Sequence, residues 1–270
     1  MEFGIDTTAP AVSARPSPRR MIRAVLFDLD DTLFDHSHCA RAALEDVRAS
    51  HECFASTTAA ALERSHGEIL EELHREVMIG RLDLDAARTE RFRRLFAVAG
   101  VDADQQLASR AAASYRQRYL AERRAVSGAA ALLMKVRERA KVGIVSNNLL
   151  EEQQDKLRCC ELDQYVDVLV VSEEAGISKP DPRIFEIVLD RLRCGPQEAV
   201  MIGDSWDADV LGAAAAGIRA IWFNPGMRDA ERRMPNVKRG MRDDVAVITS
   251  LEPTPELLSL IFQDTRSPAL

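Results

Sequence analysis

The sequence predicts an α/β protein: a doubly wound, Rossmann-like parallel sheet with an inserted α-helical bundle. Two observations carry this prediction. In the second half of the chain, short apolar runs alternate with helical segments, the pattern of parallel strands joined by right-handed crossovers. Between the first apolar run and the second, residues 35–125 place their apolar side chains at helical spacing, with no strand pattern among them.

The first predicted strand is Ile22–Phe27, a short apolar run that ends in acidic residues. Four helices are predicted to follow it with short connections, which indicates a bundle. Each later helix has a capping residue just before its first apolar position. The first helix is predicted at Ser37–Arg48, and the predicted caps of the next three are Thr57 or Thr58, Asp85 and Asp102.

Beyond the bundle, the apolar runs have the length of buried strands. The predicted strands are Val142–Val145, Val168–Val171, Ala199–Ile202, Ala220–Phe223 and a weaker Val245–Ile248. The predicted helices among them are Leu149–Cys159, Pro182–Leu192, Asp207–Ala216 and Pro255–Phe262. The chain is thereby divided into an α/β core domain, residues 21–34 and 126–265, and a helical domain, residues 35–125. Residues 1–20 hold Pro, Ala, Ser and Arg but no apolar segment, which argues against a secretion signal, and they are predicted to be a disordered tail.

Composition and charge exclude several classes of protein. A content of 46% hydrophobic and 29% charged residues is that of an ordinary soluble globular protein. The net charge of −7 argues against a nucleic acid polymer or an anionic membrane as the main partner. No apolar run reaches the roughly 18 residues of a membrane span. Five cysteines without a C-x-x-C pair indicate reduced thiols and a cytoplasmic location.

Four predicted strand ends carry groups that bind or transfer anions. Because the carboxyl ends of parallel strands share one edge of a sheet, we expect these groups to meet there. Two carboxylates two positions apart, in a loop that opens after a buried strand, suit an aspartate nucleophile with an acidic partner. The residues are Asp28, Asp30 and Thr32 after the first strand, Ser146 and Asn147 after the second, Lys179 after the third, and Asp204 and Asp209 after the fourth.

These groups stand in four motifs that together resemble the haloacid dehalogenase superfamily, a large group of mostly magnesium-dependent phosphohydrolases. The resemblance covers essentially the whole chain after residue 20. The long helical insertion, with only seven residues between Val171 and Lys179, resembles the helical-cap subgroup (C1, subfamily I). The motifs read Asp28-Leu29-Asp30-Asp31-Thr32-Leu33, Val145-Ser146-Asn147, Ser178-Lys179-Pro180-Asp181-Pro182 and Gly203-Asp204-Ser205-Trp206-Asp207-Ala208-Asp209.

The resemblance implies a Mg²⁺-dependent phosphatase of small phosphomonoester metabolites, nucleotide or sugar phosphates, that works through an aspartyl-phosphate on Asp28. Asp30 would protonate the leaving oxygen and later deprotonate the attacking water, which requires surroundings that raise its pKa. Lys179 would neutralise the transferring phosphoryl group. The implied phosphate contacts are Thr32, Ser146, Asn147 and Lys179; the implied Mg²⁺ ligands are Asp28, Asp204 and the backbone carbonyl of Asp30; Asp209 would hold Lys179 or a metal-bound water.

Three alternatives stay open. A 2-haloacid dehalogenase would use the same nucleophile without a metal, but dehalogenases of the superfamily carry a bulkier residue where this chain has Asp30. A phosphomutase would share the chemistry and differ in how well the helical cap excludes water. A non-catalytic regulator that binds a phosphometabolite would lack one of the key acids or Lys179, and none is missing. The expected partner is a small phosphorylated metabolite, bound by a monomer or a homodimer.

Histidines and arginines of the insertion complete the candidate groups. All five histidines lie before residue 75 and outside the predicted core, which removes a histidine nucleophile or base from the core site. His36 and His38 are interpreted as solvent-exposed neighbours of a hinge rather than as metal ligands. Two groups of arginines are interpreted as a solvated face of the insertion, and a member of the second is a candidate contact for an anionic substrate. They are Arg88, Arg91, Arg93 and Arg94, then Arg116, Arg118, Arg123 and Arg124.

Overall fold

A computed structural model describes residues 21–226 and 245–263 of the chain. Within those ranges the sheet has six parallel strands in the order β3-β2-β1-β4-β5-β6. This arrangement confirms the predicted doubly wound parallel sheet. The strands are β1 (Ala24–Phe27), β2 (Lys141–Ser146), β3 (Val168–Val171), β4 (Ala199–Gly203), β5 (Arg219–Phe223) and β6 (Ala246–Ile248).

The first strand lies in the middle of the sheet, between β2 and β4. Phe27, its last residue, is aligned with Ile144 on one side and Ile202 on the other. Its four side chains are fully buried and alternate between the two apolar cores on opposite faces of the sheet. A strand covered on both faces must be apolar throughout, which explains the continuous run in the sequence. The strand order reverses at β1, the position where such sheets form a crevice for ligands.

Ten α-helices are present in the part of the chain that the structure describes, and the first four of them lie between β1 and residue 125. Those four, α1 (His36–Ser50), α2 (Ala59–Met78), α3 (Leu84–Val98) and α4 (Gln105–Ala121), are called the helical insertion below. The other six are α5 (Ala129–Arg137), α6 (Leu150–Cys159), α7 (Ser172–Ala175), α8 (Pro182–Leu192), α9 (Gly212–Ala215) and α10 (Pro255–Phe262). Short 3₁₀ turns cover Glu52–Phe54, Asp163–Tyr165 and Pro196–Glu198.

The predicted caps of two helices are wrong by two residues. Asp83 caps α3 and Asp104 caps α4, since each carboxylate accepts a backbone N–H of its helix's first turn, at 2.9 and 2.7 Å. Asp85 lies inside the first turn of α3, where a negative charge also favours the helix. Asp102 precedes α4 without capping it. Thr58 caps α2, as predicted.

The helical insertion is held together by its own apolar interior. The rings of Phe54 and Phe96 stack at 5.3 Å between centroids, and Phe92 lies 5.3 Å from Tyr115. Burying each such ring stabilises the fold by roughly 1.5–3 kcal/mol. The same apolar cluster continues into the face of the sheet beside it through the fully buried Phe34. The insertion therefore rests on the carboxyl edge of the sheet through a continuous hydrophobic contact.

Two local differences from the sequence prediction affect the rest of the fold. The segment predicted as a helix over Asp207–Ala216 is a wide π turn, Trp206–Leu211, followed by the short α9. The helix α5, which the sequence analysis did not predict, buries four apolar side chains against the sheet. The predicted tail, residues 1–20, and residues 227–244 and 264–265 of the predicted core lie outside the described residues. No described helix has both the length and the apolar character that a membrane crossing requires.

Candidate active site

Three carboxylates from two strand ends lie together at the carboxyl edge of the sheet. Asp28 directly follows β1 and extends its pairing, with its backbone N–H donating to the Ile202 carbonyl at 3.0 Å. Asp204 follows β4, and Asp209 lies in the π turn behind it. One oxygen from each of the three carboxylates lies within 4.8 Å of the other two. The prediction that these strand ends converge is confirmed for Asp28, Asp204 and Asp209.

A buried lysine joins two of these carboxylates. Lys179 Nζ donates to Asp28 Oδ1 at 2.5 Å and to Asp209 Oδ1 at 2.7 Å. Its side chain is only 3% exposed. Burial disfavours the ammonium, but Asp209 and Asp28 outweigh burial and raise the pKa of Lys179 above its usual value. The lysine is therefore a fixed cation within an anionic cluster.

One lysine does not neutralise three carboxylates, and their pKa values reflect this. Burial raises the pKa of Asp28 well above its ordinary range; Lys179 opposes the rise, and the charges of Asp209 and Asp204 add to it. Burial, and then repulsion from Asp209 and Asp31, raise the pKa of Asp204 to about 7. The cluster therefore favours one more cation. Its donor set, carboxylate oxygens with no Cys or His, fits Mg²⁺.

Asp209 is fixed in place by the shape of the loop beneath it. Its side chain is fully buried, and its Oδ2 accepts the backbone N–H of Ser205 at 3.0 Å. A Cβ atom at Gly203 would lie 2.3 Å from that same oxygen. Glycine is therefore required at the end of β4 for Asp209 to reach Lys179. With its two oxygens engaged by Ser205 and Lys179, Asp209 matches the predicted role of holding the lysine.

The hydroxyl of Thr32, predicted to contact phosphate, has a different partner. It donates to Asp204 Oδ1 at 3.2 Å and accepts the backbone N–H of Asp204 at 3.1 Å. The side chain is fully buried between the ends of β1 and β4, which leaves it no open face. Thr32 thus orients a candidate metal ligand, a contact that the sequence analysis did not predict.

Asp30 faces a different set of groups from Asp28. Its carboxylate accepts hydrogen bonds from Lys156 Nζ at 2.6 Å, Gln153 Nε2 at 2.9 Å and Asn148 Nδ2 at 3.3 Å. Burial alone would raise the pKa of Asp30, but the Lys156 ammonium and the neighbouring His36 lower it below its usual range. The expectation of a raised pKa is wrong for this arrangement, because a buried lysine lies against the carboxylate.

The last residue of β2, Ser146, and the residue after it, Asn147, support their neighbours. Ser146 Oγ accepts from Gln153 Nε2 at 2.5 Å. The side-chain amide of Asn147 donates to the Lys179 carbonyl at 2.8 Å and accepts the Lys179 N–H at 2.7 Å. Asn147 does not cap the next helix, since α6 begins two residues after Asn148. It fixes the backbone of the lysine segment, and its predicted phosphate contact stays a prediction, as does that of Ser146.

Sequence reasoning missed the residues of α6 that face Asp30. Gln153 and Lys156 are buried, although both are types that usually lie at the surface. They are three positions apart, so they share one face of the helix. That spacing, directly after the Ser146-Asn147 motif, was the available signal. A pattern of apolar residues alone places these two polar side chains on the exposed face of the helix.

A cavity of about 280 Å³ separates the helical insertion from the core. Asp30, Asn148 and Lys156 line its core side, and side chains of α2, α3 and α4 line the other. His74 Nε2 of α2 lies 3.1 Å from the Asn147 carbonyl, which connects the two sides. The volume is at the small end of the range for ligand sites. Asp30 therefore borders a cavity whose size suits a compact organic molecule.

A buried Asp–Lys–Asp set at the strand-order reversal of a doubly wound sheet, beneath a helical insertion, defines a class of hydrolases. The chain belongs to the haloacid dehalogenase (HAD)-like hydrolase family, whose model matches residues 22–217. This confirms the resemblance inferred from the four motifs.

Two curated relatives and one solved structure show how far the similarity extends. The chain is 34% identical to glyceraldehyde 3-phosphate phosphatase of Methanopyrus kandleri, over 79% of this chain and 89% of the relative. It is 31% identical to phosphoserine phosphatase of Thermus thermophilus, over 85% of this chain and 100% of the relative. A magnesium-bound crystal structure of the HAD-hydrolase YfnB from Bacillus subtilis matches with a TM-score of 0.66 and 25% identity, covering 89% of this chain and 98% of YfnB.

Proposed function

We propose that this protein is a Mg²⁺-dependent phosphomonoester hydrolase that acts on small phosphorylated metabolites through an aspartyl-phosphate intermediate. The observation that carries the proposal is the buried Lys179 between Asp28 and Asp209, at 2.5 and 2.7 Å. The two relatives described above, both named as phosphatases of small metabolites, support it. Burying an ion pair this deeply costs desolvation free energy, so its presence here supports a role for the charge of Lys179 in the reaction.

In the first step we assign Asp28 as the nucleophile. A carboxylate oxygen of Asp28 forms a bond to phosphorus while the bond from phosphorus to the ester oxygen breaks. Lys179, already within hydrogen-bond distance of Asp28, balances the charge of the phosphoryl oxygens. Asp28, Asp204 and the backbone carbonyl of Asp30 are the groups that would hold Mg²⁺, which would further screen the repulsion between carboxylate and phosphate.

Asp30 is assigned to the proton transfers. It gives a proton to the departing ester oxygen, and then takes one from the water that attacks the phosphoaspartate and releases inorganic phosphate. Lys156 keeps Asp30 ionised in the arrangement described above. Asp30 must carry a proton to act as an acid, so substrate binding must change its surroundings. A phosphate dianion beside Asp30 raises the pKa of Asp30 by like-charge repulsion.

We further propose that residues 35–125 form a cap domain on a core domain of residues 21–34 and 126–265. The two connections between them run side by side. Phe34 and Ala125 form an isolated antiparallel bridge, and the Asp35 N–H donates to the Arg124 carbonyl at 3.1 Å. Paired connections of this kind support a hinge that opens and closes the cavity.

We place the protein in the cytoplasm, with a small phosphorylated metabolite as partner and a monomer or homodimer as its assembly. All five cysteines are free, which agrees with a reducing compartment. Two of them, Cys159 and Cys160, are adjacent, and their sulfurs lie 3.7 Å apart without a disulfide.

Phosphate release from p-nitrophenyl phosphate tests the proposed function. We expect turnover with Mg²⁺, none after chelation with EDTA, and recovery when Mg²⁺ is added back. Full turnover in EDTA, or chloride release from a 2-haloacid without phosphate release, contradicts the proposal. The second result would instead identify a dehalogenase.

A further inference from the structure

One arginine of the helical insertion differs from its neighbours on the same helix. Arg88, Arg93 and Arg94 of α3 each lie within 2.9 Å of at least one carboxylate. Arg91 makes no hydrogen bond or ion pair with any residue that the structure describes, and its buried Nε has no partner. The interpretation of Arg91 as part of a solvated face is therefore wrong. Its side chain is half-buried and lines the cavity above Asp30.

The groups that face Arg91 leave its charge uncompensated. Its guanidinium carbon lies 5.8 Å from the ring centroid of Phe92 and 5.4 Å from that of Tyr115, and no carboxylate of the described residues forms an ion pair with it. The buried His66 adds no charge, because burial and the adjacent Arg91 lower its pKa well below the usual value.

The other two arginines of the cavity wall already have an acidic partner. Arg88 and Arg116 both bind Glu152, at 2.7 and 2.9 Å. Glu152 therefore serves two guanidinium groups in this wall, Arg88 has a second partner in the exposed Asp85, and Arg91 pairs with neither carboxylate. Glu71 also lines the cavity, at its rim, where its side chain is exposed. The interior of the wall carries an excess of positive charge.

Such an arrangement is unfavourable until an anion arrives. Arginine keeps its proton even where burial lowers its pKa, as burial does for Arg91. Covering a guanidinium group removes water from it at a cost in free energy. Without a carboxylate partner, cation–π attraction to two aromatic rings offsets only part of that cost. A carboxylate or phosphate oxygen entering the cavity would supply the missing charge and the missing acceptor.

We propose that Arg91 binds a second anionic group, carried by the leaving group of the substrate. This inference rests on the proposed phosphatase function and narrows its substrate class to small phosphorylated acids or bisphosphates. One cavity joins Asp30, where the ester oxygen leaves, to Arg91 in the opposite wall. Its volume of about 280 Å³ restricts the linker between the two anionic groups to a few carbon atoms.

Matched substrate pairs test the proposal. Phosphoserine and phosphoethanolamine differ only in a carboxylate, and propanediol bisphosphate differs from its monophosphate only in the second phosphate. We expect wild-type kcat/KM to favour the doubly anionic member of at least one pair by about tenfold or more, the size of one charge-assisted contact. The pair that shows the preference identifies whether a carboxylate or a phosphate is bound.

Substitutions at Arg91 then show whether this residue causes the preference for the doubly anionic substrate. Arg91→Met should bring the kcat/KM ratio of that pair close to unity, and Arg91→Lys should keep part of it. Arg93→Met, on the exposed face of the same helix, should leave the ratio as in wild type. The ratio is measured within one sample, so partial misfolding lowers both members equally and leaves it unchanged.

Two results overturn the proposal: a wild-type ratio near unity for both pairs, or the same ratio in Arg91→Met as in wild type. Turnover of p-nitrophenyl phosphate, which has no second anionic group, is followed separately. Its absence means that the proposed function has failed. Thermal stabilisation by phosphoserine compared with phosphoethanolamine, in wild type and Arg91→Met, then tests anion binding alone.

Discussion

Lys156 Nζ lies 2.6 Å from Asp30 Oδ1, deep in the site, and no other ammonium contacts that carboxylate among the described residues. The lysine comes from α6 and the aspartate from the loop after β1, so this ion pair connects two elements that are far apart in the sequence. The side chain of Lys156 is 6% exposed. Solvent therefore screens the pair weakly, and Lys156 is the strongest of the groups that lower the pKa of Asp30.

Replacing the lysine tests its effect on Asp30. Lys156→Met keeps the length of the side chain and removes the charge that most opposes the effect of burial, so the pKa of Asp30 should rise by roughly 1–3 units. The limb of the kcat/KM pH profile that reports Asp30 should move to higher pH by that amount, measured with an alkyl phosphate ester. Lys135→Met, at an exposed lysine paired with Glu138, is the control and should not move it. An unmoved limb in Lys156→Met would show that Asp30 titrates independently of Lys156.

The nucleophile is tested by Asp28→Asn. The change keeps the shape of the side chain but removes the attacking charge, so kcat should fall by roughly four orders of magnitude or more. The matched control is Asp207→Asn, an exposed aspartate in the same strand-end region, which should retain nearly full activity. Thermal unfolding confirms that both variants are folded. If the purified Asp28→Asn protein keeps more than a few per cent of wild-type turnover, the covalent mechanism is wrong.

The acidic cluster predicts how Mg²⁺ stabilises the protein as pH changes. The pKa of Asp204 is raised from 3.8 to about 7, so between those values the folded state binds more protons than the unfolded state. The free energy of unfolding therefore falls as pH rises through this window, and the whole of this loss of stability is present above pH 7.

A divalent cation needs the ionised carboxylates and relieves their repulsion. The increase in Tm caused by Mg²⁺ should therefore be larger at about pH 8 than at about pH 5.5, measured against EDTA at each pH. Because each increase is a difference at one pH, the titration of other groups cancels to first order. Equal increases at both pH values would mean that Mg²⁺ does not bind at Asp204.

Two glycines give opposite predictions for the same substitution. A Cβ at Gly203 would lie 2.3 Å from Asp209 Oδ2, so Gly203→Ala should destabilise the protein by about 1–3 kcal/mol and lower activity by displacing Lys179. Gly67 lies inside α2, and a Cβ added there would meet no atom within 4 Å, so Gly67→Ala should stabilise by about 0.5–1 kcal/mol. Urea unfolding and p-nitrophenyl phosphate turnover measure both effects. A Gly203→Ala protein as stable and active as wild type would contradict the packing argument.

The elements of the sheet could be predicted because burial on both faces leaves a distinctive signal. β1 and β4 are short apolar runs with no polar interruption, and the reactive groups follow directly after them. Helix caps are harder to predict, because two aspartates, Asp83 and Asp85, stand at the start of α3 and only the backbone geometry selects Asp83. Spacing alone cannot separate two such candidates.

The remaining parts of the site could not be predicted, because polar side chains on helices usually face solvent. Lys156 and Arg91 both lie in amphipathic segments where a charged residue indicates the exposed face. Tertiary packing alone covers them: Asp30 and Phe34 lie against Lys156, and Tyr115 of the insertion lies against Arg91. The pKa of Asp30 depends on the same packing, which is why its direction was predicted wrongly.

The bridge between Phe34 and Ala125 has a consequence for how this architecture can vary. The chain leaves the sheet and returns to it at neighbouring points, so the inserted unit needs only two ends that lie close together. Its length and internal packing can then change while β1 keeps its alignment with β2. Exchange of the whole unit between related chains is compatible with an unaltered sheet, since loops joined at adjacent ends add little conformational cost. A single scaffold can in this way carry many different binding surfaces.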